Sequence, residues 1–422
     1  MKRKRPEEGQ NILIQFWNCQ LLKDHKIIKD DLWVRDGCIL DPHALFFDEN
    51  VAADVKVDCK GLLIAPGYID VQINGGFGVD FSSDIESIET GIKSVCNKLL
   101  QYGVTSFCPT IVTSSKETYH QLLPRISKIS KNTHAGATIL GLHLEGPFIS
   151  KEKKGAHKEV FIEALGPQGI NKMNEHYGSL DSVRIVTLAP EQPYAMEAIK
   201  DLSKKGIAVS IGHTLASLDT AEEAARCGAR FITHLFNAML PFHHRDPGIV
   251  GLLTSDNIPE PIYFGIIADG IHTHPTALRI AHRSHPNGLV LVSDAIAALG
   301  LPSGKHCLGT VEVEIHDNMA TVAGLKTLAG SIASLDYCVR QFKKFAGCSC
   351  VEALEAASLH PAQLLKISDH KGTLNYGADA DIIILNDDLE IQATLIAGNL
   401  VWLNNSSTVA QEIFADYDQK MT

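Results

Sequence analysis

Apolar and polar residues follow two rhythms along this chain, and the change between them predicts its domains. From about Asn11 to Leu62 they alternate with period two, as in half-buried strands. Asp31 to Leu40 predicts a hairpin turning at Asp36-Gly37, a pair suited to the positive backbone angles of a tight turn. Gly61 to Gly67 then leads into Tyr68-Ile69-Asp70-Val71-Gln72-Ile73-Asn74, a buried strand closed by Gly75-Gly76. Beyond it a strand–helix rhythm begins. Ile88, Ile92, Val95, Cys96 and Leu99 recur at helical spacing, Gly103 ends that helix, and Val104 to Val112 forms the next strand. Further strands are expected to end near Glu145, Ala189, His213, His234, Asp269 and Asp294. Helix-like stretches such as Thr220 to Cys227, closed by Gly228, separate them.

Counted from Val71, these are eight strand candidates alternating with helices. Such alternation implies a parallel sheet, and eight units predict an α/β fold closed as a (β/α)8 TIM barrel over residues 65–371. The rival is a doubly wound open sheet, but no Gly-rich phosphate fingerprint follows the first strand. Strand patterning returns near the C-terminus, in Ala380 to Leu385 and Ile396 to Trp402. Residues 11–64 and 372–408 are therefore expected to build one small β-sandwich from both chain ends. Residues 1–10, with Lys2-Arg3-Lys4-Arg5, read as a disordered basic tail.

Composition narrows the function classes. With 422 residues, 45% hydrophobic and 21% charged, the chain has the balance of a soluble enzyme. A net charge of −11 argues against general nucleic-acid binding, though not against a phosphorylated small substrate met by local cations. No apolar run reaches membrane-span length and no secretory segment is evident, so a cytoplasmic protein without a membrane partner is expected. The 10 cysteines contain no C-x-x-C pair and read as reduced thiols.

The chemistry gathers at the strand ends. Ala137 to Leu140 runs into Gly141-Leu142-His143-Leu144-Glu145, and Gly146-Pro147 stops the strand abruptly. A carboxylate at such a position needs a cation or a full set of donors. His213 and His234 close two later hydrophobic runs, and Asp294 closes the last. Carboxylate and imidazole are ligands that zinc and similar first-row dications choose. Taken singly, each could be a hydrogen-bonded core group. Three on one barrel rim, where active sites concentrate, favour a metal centre. Asp294 could cap a following helix or act as general base and acid beside the metal. His243-His244-Arg245 could be a solvated loop or a phosphate-binding cluster, since Arg forks phosphate bidentately. His274, before Pro275, could be a turn residue.

Several motifs carry a resemblance: His143 to Phe148, Lys154-Gly155-Ala156-His157, Gly212-His213-Thr214, Thr233 to Met239, Ala268 to His272 and Ser293-Asp294-Ala295. Together they resemble the amidohydrolase superfamily, and within it the branch that deacetylates amino-sugar phosphates. Many superfamily members carry His-x-His after the first strand, where this chain has Gln72-Ile73-Asn74. Neutral amides are poor ligands, so one principal metal is implied. The resemblance implies one dication per subunit, Zn2+ or another first-row ion, held by Glu145, His213 and His234. It implies Asp294 as base and then acid, with His157 polarising the acetamide carbonyl. It implies contacts to the sugar phosphate from Asn237, Ala238, Arg245 and His272, with Ala156, Asp269, Leu328, Ala329 and Gly330 lining the pocket. It also implies a homodimer in which Arg245 or His272 acts within its own subunit or across the interface. The implied reaction turns N-acetyl-D-glucosamine 6-phosphate into glucosamine 6-phosphate and acetate. Alternatives are an amidohydrolase acting on a cyclic amide or nucleobase, which Gln72 and Asn74 speak against, and a silent barrel used as scaffold.

Overall fold

The computed structural model describes residues 12–49, 51–83, 85–130, 136–308, 311–325, 327–415 and 417, so the tail expected at 1–10 lies outside the described residues. Eight parallel strands follow one another around a barrel: β1 Tyr68–Ile73, β2 Val104–Val112, β3 Leu142–Glu145, β4 Val183–Leu188, β5 Ala208–Ile211, β6 Ala229–Ile232, β7 Tyr263–Ile266 and β8 Leu289–Leu291. Each pairs with the next in parallel, with a bulge or register shift in the β1–β2, β3–β4 and β5–β6 pairings. The seam between β8 and β1 closes just past the ladder, where the Asp294 N–H donates to the Gln72 carbonyl at 2.8 Å. Eight strands leave an interior that side chains fill, and the strands are correspondingly apolar. The first helix spans Ile88–Leu99 and buries Ile88, Ile92, Val95, Cys96 and Leu99. Gly103, in the left-handed conformation at φ 71°, terminates its last turn.

Two further sheets stand beside the barrel. One orders Cys38–Ile39, Leu32–Arg35, Ile14–Trp17 and Val55–Asp58, and the Asp36-Gly37 turn links its first two strands with both residues at positive φ. The other orders Asn399–Leu403, Ile391–Ile396, Ile382–Leu385, Leu63–Pro66, Gln20–Lys23 and Lys26–Lys29, so both chain ends contribute to it. Strand 382–385 shows why its sequence is apolar throughout. Ile382 and Ile384 enter the core shared by the two sheets, whereas Ile383 and Leu385 pack into the barrel's core. Alternate residues of a strand face opposite sides, so a sheet covered on both faces reads as a continuous hydrophobic run.

An element not anticipated from the sequence follows β8. Gly304–Leu308, Val311–His316, Met319–Val322 and Leu328–Gly330 form a four-stranded antiparallel sheet. Its last strand returns to the barrel rim, where Ala295 bridges Ser331 and the Ile296 N–H donates to the Ser331 carbonyl at 2.9 Å.

Lys371 lies where the barrel chain re-enters the small sheets. Its ammonium reaches Asp379 at 3.1 Å and contacts Asp381, and both Lys371 and Asp381 are buried. Burial alone would lower the lysine pKa, but the two carboxylates raise it and keep it charged. Removing one partner of a buried pair costs more than the pair itself contributes. Lys371→Met is therefore expected to lower stability by about 3–5 kcal/mol, read as an earlier urea midpoint at unchanged slope. A shift near zero would show that the two carboxylates do not depend on Lys371.

Candidate metal centre

The rim residues owe their positions to strained strand ends. His213 (φ 49°), His234 (φ 28°) and Asp294 (φ 46°) all leave their strands in the left-handed region. Non-glycine residues are costly there and persist where surrounding contacts over-determine them, a pattern that clusters at functional sites. Gly146, after Glu145, has φ 82°, and a Cβ on it would lie 2.1 Å from the Thr113 hydroxyl. Only glycine lets the chain turn away there and leave the carboxylate pointing into the barrel.

Three side chains converge. Glu145 Oε1 lies 3.0 Å from His213 Nε2 and 3.1 Å from His234 Nε2, and the two nitrogens are 3.1 Å apart. All three residues are buried. His213 Nδ1 lies 2.8 Å from the Lys153 carbonyl, which can only accept, so Nδ1 carries the proton and Nε2 is left with a bare lone pair. That bare nitrogen faces the Glu145 carboxylate oxygen and the Nε2 of the second imidazole. One carboxylate and two imidazoles gathered so closely are a donor set that suits a dication, and a carbonyl behind a metal-binding imidazole is the usual orienting contact. These three are the candidate ligand group for a divalent cation among the described residues. Burial opposes the charge on Glu145, but the two imidazoles hold its carboxyl well below the usual range.

Asp294 stands at the edge of this group. Gln72 Nε2 donates to Glu145 Oε1 and to Asp294 Oδ1, both at 3.2 Å, and Asn74 Nδ2 donates to the same Asp294 oxygen at 2.8 Å. Burial, and then the Glu145 charge, push the Asp294 carboxyl up to about 6. No helix begins after Asp294, which removes the capping alternative. His157 stacks edge-on to His213 with ring centroids 4.4 Å apart. Its Nδ1 accepts the Thr113 N–H at 3.3 Å, which leaves the proton on Nε2. Burial, then the neighbouring His213, lower its pKa to about 3, so the ring stays neutral.

The remaining predicted residues lie on the surrounding loops. Asp269 accepts the backbone N–H groups of Ile271 and His272, both at 2.8 Å, and contacts His272 Nδ1 at 2.6 Å. Asn237 and Ala238 lie on the loop after His234, and the Ala238 carbonyl accepts the Thr214 N–H at 3.1 Å, which ties the loops after His213 and His234 together. Leu328, Ala329 and Gly330 lie on the strand that meets the Asp294 loop through Ser331. Ala156 is exposed next to His157. Arg245 sits apart on an exposed turn with His243 and His244. His274 caps the helix Pro275–Ser284 by accepting the Thr276 N–H, so it is structural.

The chain as a whole has counterparts among known proteins. The amidohydrolase family profile matches residues 63–401. The chain belongs to the amidohydrolase family. Among its relatives in this family, the N-acetylglucosamine-6-phosphate deacetylase of Bos taurus is 58% identical over 392 residues, covering 92% of this chain and 96% of that protein. The crystal structure of the same enzyme from Pasteurella multocida superposes with a TM-score of 0.82 at 30% identity, covering 93% of this chain and 100% of that one. A Mycobacterium smegmatis variant, solved with N-acetyl-D-glucosamine 6-phosphate bound, gives a TM-score of 0.78 at 28% identity over 93% of this chain and 100% of that one.

Three supporting residues of this amidohydrolase centre were not found in the sequence. His143, two residues before Glu145, is wholly buried and bonded at both nitrogens, to the Val71 carbonyl at 2.9 Å and the Thr187 hydroxyl at 2.7 Å. Burial lowers its pKa to about 4, so it is a neutral core group. Thr113 orients His157. Glu191 holds the loop after His213 through the Thr214 hydroxyl at 2.5 Å and the Leu215 N–H at 2.7 Å. For Thr113 and Glu191 no local motif exists, because the partner lies on another strand.

Proposed function

We infer that this centre hydrolyses the acetamide of N-acetyl-D-glucosamine 6-phosphate, giving glucosamine 6-phosphate and acetate. The observation that carries the reading is the meeting of Glu145, His213 and His234 beside a half-buried Asp294, in a chain 58% identical to a deacetylase of that substrate.

Glu145, His213 and His234 would hold the cation, and one carboxylate with two imidazoles suits zinc or a neighbouring first-row dication. When bound, the ion polarises the acetyl carbonyl and lowers the pKa of a water to about 7. Asp294 takes the proton from the attacking water at its carboxylate. As the C–N bond breaks, it gives that proton to the departing nitrogen, so the amine leaves neutral. His157, a neutral donor at Nε2, holds the oxygen that gains charge during attack. Asp269 fixes His272 for the sugar phosphate, with Asn237, Ala238 and Arg245 completing that end. Ala156, Leu328, Ala329 and Gly330 line the sugar pocket. Because Arg245 is exposed on its turn, we assign it to the neighbouring subunit's substrate in a homodimer. The barrel carries the chemistry, and the sheets built from residues 14–66 and 382–403 form the small supporting domain. Thiol cysteines fit a reducing cytoplasm.

Acetate release from the phosphorylated and unphosphorylated sugars, measured side by side, tests the reading. The phosphorylated sugar is expected to be strongly preferred, and Arg245→Ala to raise its KM about 10- to 100-fold, the value of a hydrogen bond to a charged group. Equal rates on both sugars would overturn the phosphate roles. Absence of acetate from both would overturn the deacetylase.

A further inference from the structure

The first strand ends in Gln72-Ile73-Asn74, and neither amide is among the three converging ligands. We propose that Asn74 and Gln72 are positioning residues, whose side-chain amides clamp one oxygen of Asp294 and leave the other to carry the proton. The inference rests on the deacetylase reading and assigns a role within it.

Residues two apart on a strand face the same side, so 72 and 74 both point into the top of the barrel. Both Nδ2 of Asn74 (2.8 Å) and Nε2 of Gln72 (3.2 Å) donate to Oδ1 of Asp294. Gln72 uses its second amide proton on Glu145, so one side chain spans from a ligand to the base. Oδ2 of Asp294 accepts no hydrogen bond among the described residues. The amide orientation is dictated by charge, because a reversed amide would set a carbonyl oxygen against a carboxylate. Its cost is visible on the far side, where Gln72 Oε1 and Asn74 Oδ1 are buried without a partner among the described residues. Buried polar atoms are rarely left so, and exceptions call for a functional reason.

The backbone adds a second constraint. The Asp294 N–H donates to the Gln72 carbonyl at 2.8 Å, and the N–H groups of Asn74 and Gly75 donate to the Ala295 carbonyl at 2.8 and 3.1 Å. These bonds cross the seam between β8 and β1 and hold Asp294 in its left-handed conformation. A proton carrier must keep its position through both halves of the reaction, first as acceptor and then as donor, and a misplacement of one ångström can cost about a hundredfold. Two donors on one oxygen fix the rotation of the carboxylate at that precision. A histidine pair at 72 and 74 would offer lone pairs to a cation; an amide pair offers protons to the base.

The test compares wild type, Asn74→Ala, Asn74→Asp and Gln72→Ala, each assayed for kcat, KM, metal content and thermal midpoint. Wild type must first release acetate from N-acetyl-D-glucosamine 6-phosphate, and its failure would sink the deacetylase reading itself. Given an active wild type, Asn74→Ala is expected to lower kcat about 10- to 100-fold, with KM and metal content within about twofold. Asn74→Asp keeps the shape and removes the donor, so it should lose at least as much. Gln72→Ala should lower kcat and also weaken metal retention, since of the two amides only that of Gln72 touches Glu145. Unchanged kcat in Asn74→Ala, near-normal kcat in Asn74→Asp, or a loss in either Asn74 variant that tracks metal content or KM would overturn the proposal.

Discussion

Asp294→Asn is expected to fold, to keep its metal and to bind substrate, while kcat falls by about 10²–10⁴, the range that positioned proton transfer contributes. The substitution conserves shape, and its backbone bond to Gln72 does not involve the side chain. What disappears is the basic oxygen that, in the proposed reaction, receives the proton from water and returns it to the amine. The amide at 294 also faces the Gln72 and Asn74 amides, donors that previously met a carboxylate. A steady-state assay with metal analysis on the same sample checks the outcome. Turnover within about threefold of wild type would remove Asp294 from the reaction; loss of metal together with turnover would make it a ligand instead.

Glu145→Gln has the second large effect, and it acts on the cation itself. Among the described residues, the carboxylate Oε1 is the one anionic atom touching both His213 Nε2 and His234 Nε2. A neutral amide there removes the charge and turns either a donor or a weak acceptor toward two imidazoles. Metal affinity is expected to fall by more than the roughly 10- to 100-fold cost of disturbing groups behind a ligand, with activity following it. Added dication should restore activity partly at high concentration. Competition against a chelator of known affinity measures the change. Unaltered affinity would show that the ion, if held, sits elsewhere.

Much of this centre was legible because its ligands end strands whose apolar runs are unmistakable. Ile211-Gly212-His213 and Ile232-Thr233-His234 carry both the strand and the chemistry within a few residues, so position on the barrel rim followed from counting strands. The Gly304–Gly330 sheet was not foreseen, although Val311-Glu312-Val313-Glu314-Ile315-His316 alternates with period two and turns at Asp317-Asn318. With eight strands already assigned, that signal had no place in the barrel count. The left-handed backbone at His213, His234 and Asp294 could not be read either: His and Asp visit that region more than most residues but adopt it only in a minority of cases, and here tertiary contacts impose it. The supporting roles of Thr113, Glu191, Gln72 and Asn74 depend on partners dozens to hundreds of residues away. Such pairings arise from topology and leave no mark in local pattern.

The central claim is one cation held jointly by Glu145, His213 and His234. Anomalous diffraction from crystals of the purified chain, collected at the edge of the metal it carries, tests it most directly. The account predicts a single strong peak about 2.0–2.2 Å from Glu145 Oε1, His213 Nε2 and His234 Nε2. No peak at that position in a crystal of fully active protein, or a peak bound by other residues, would contradict it.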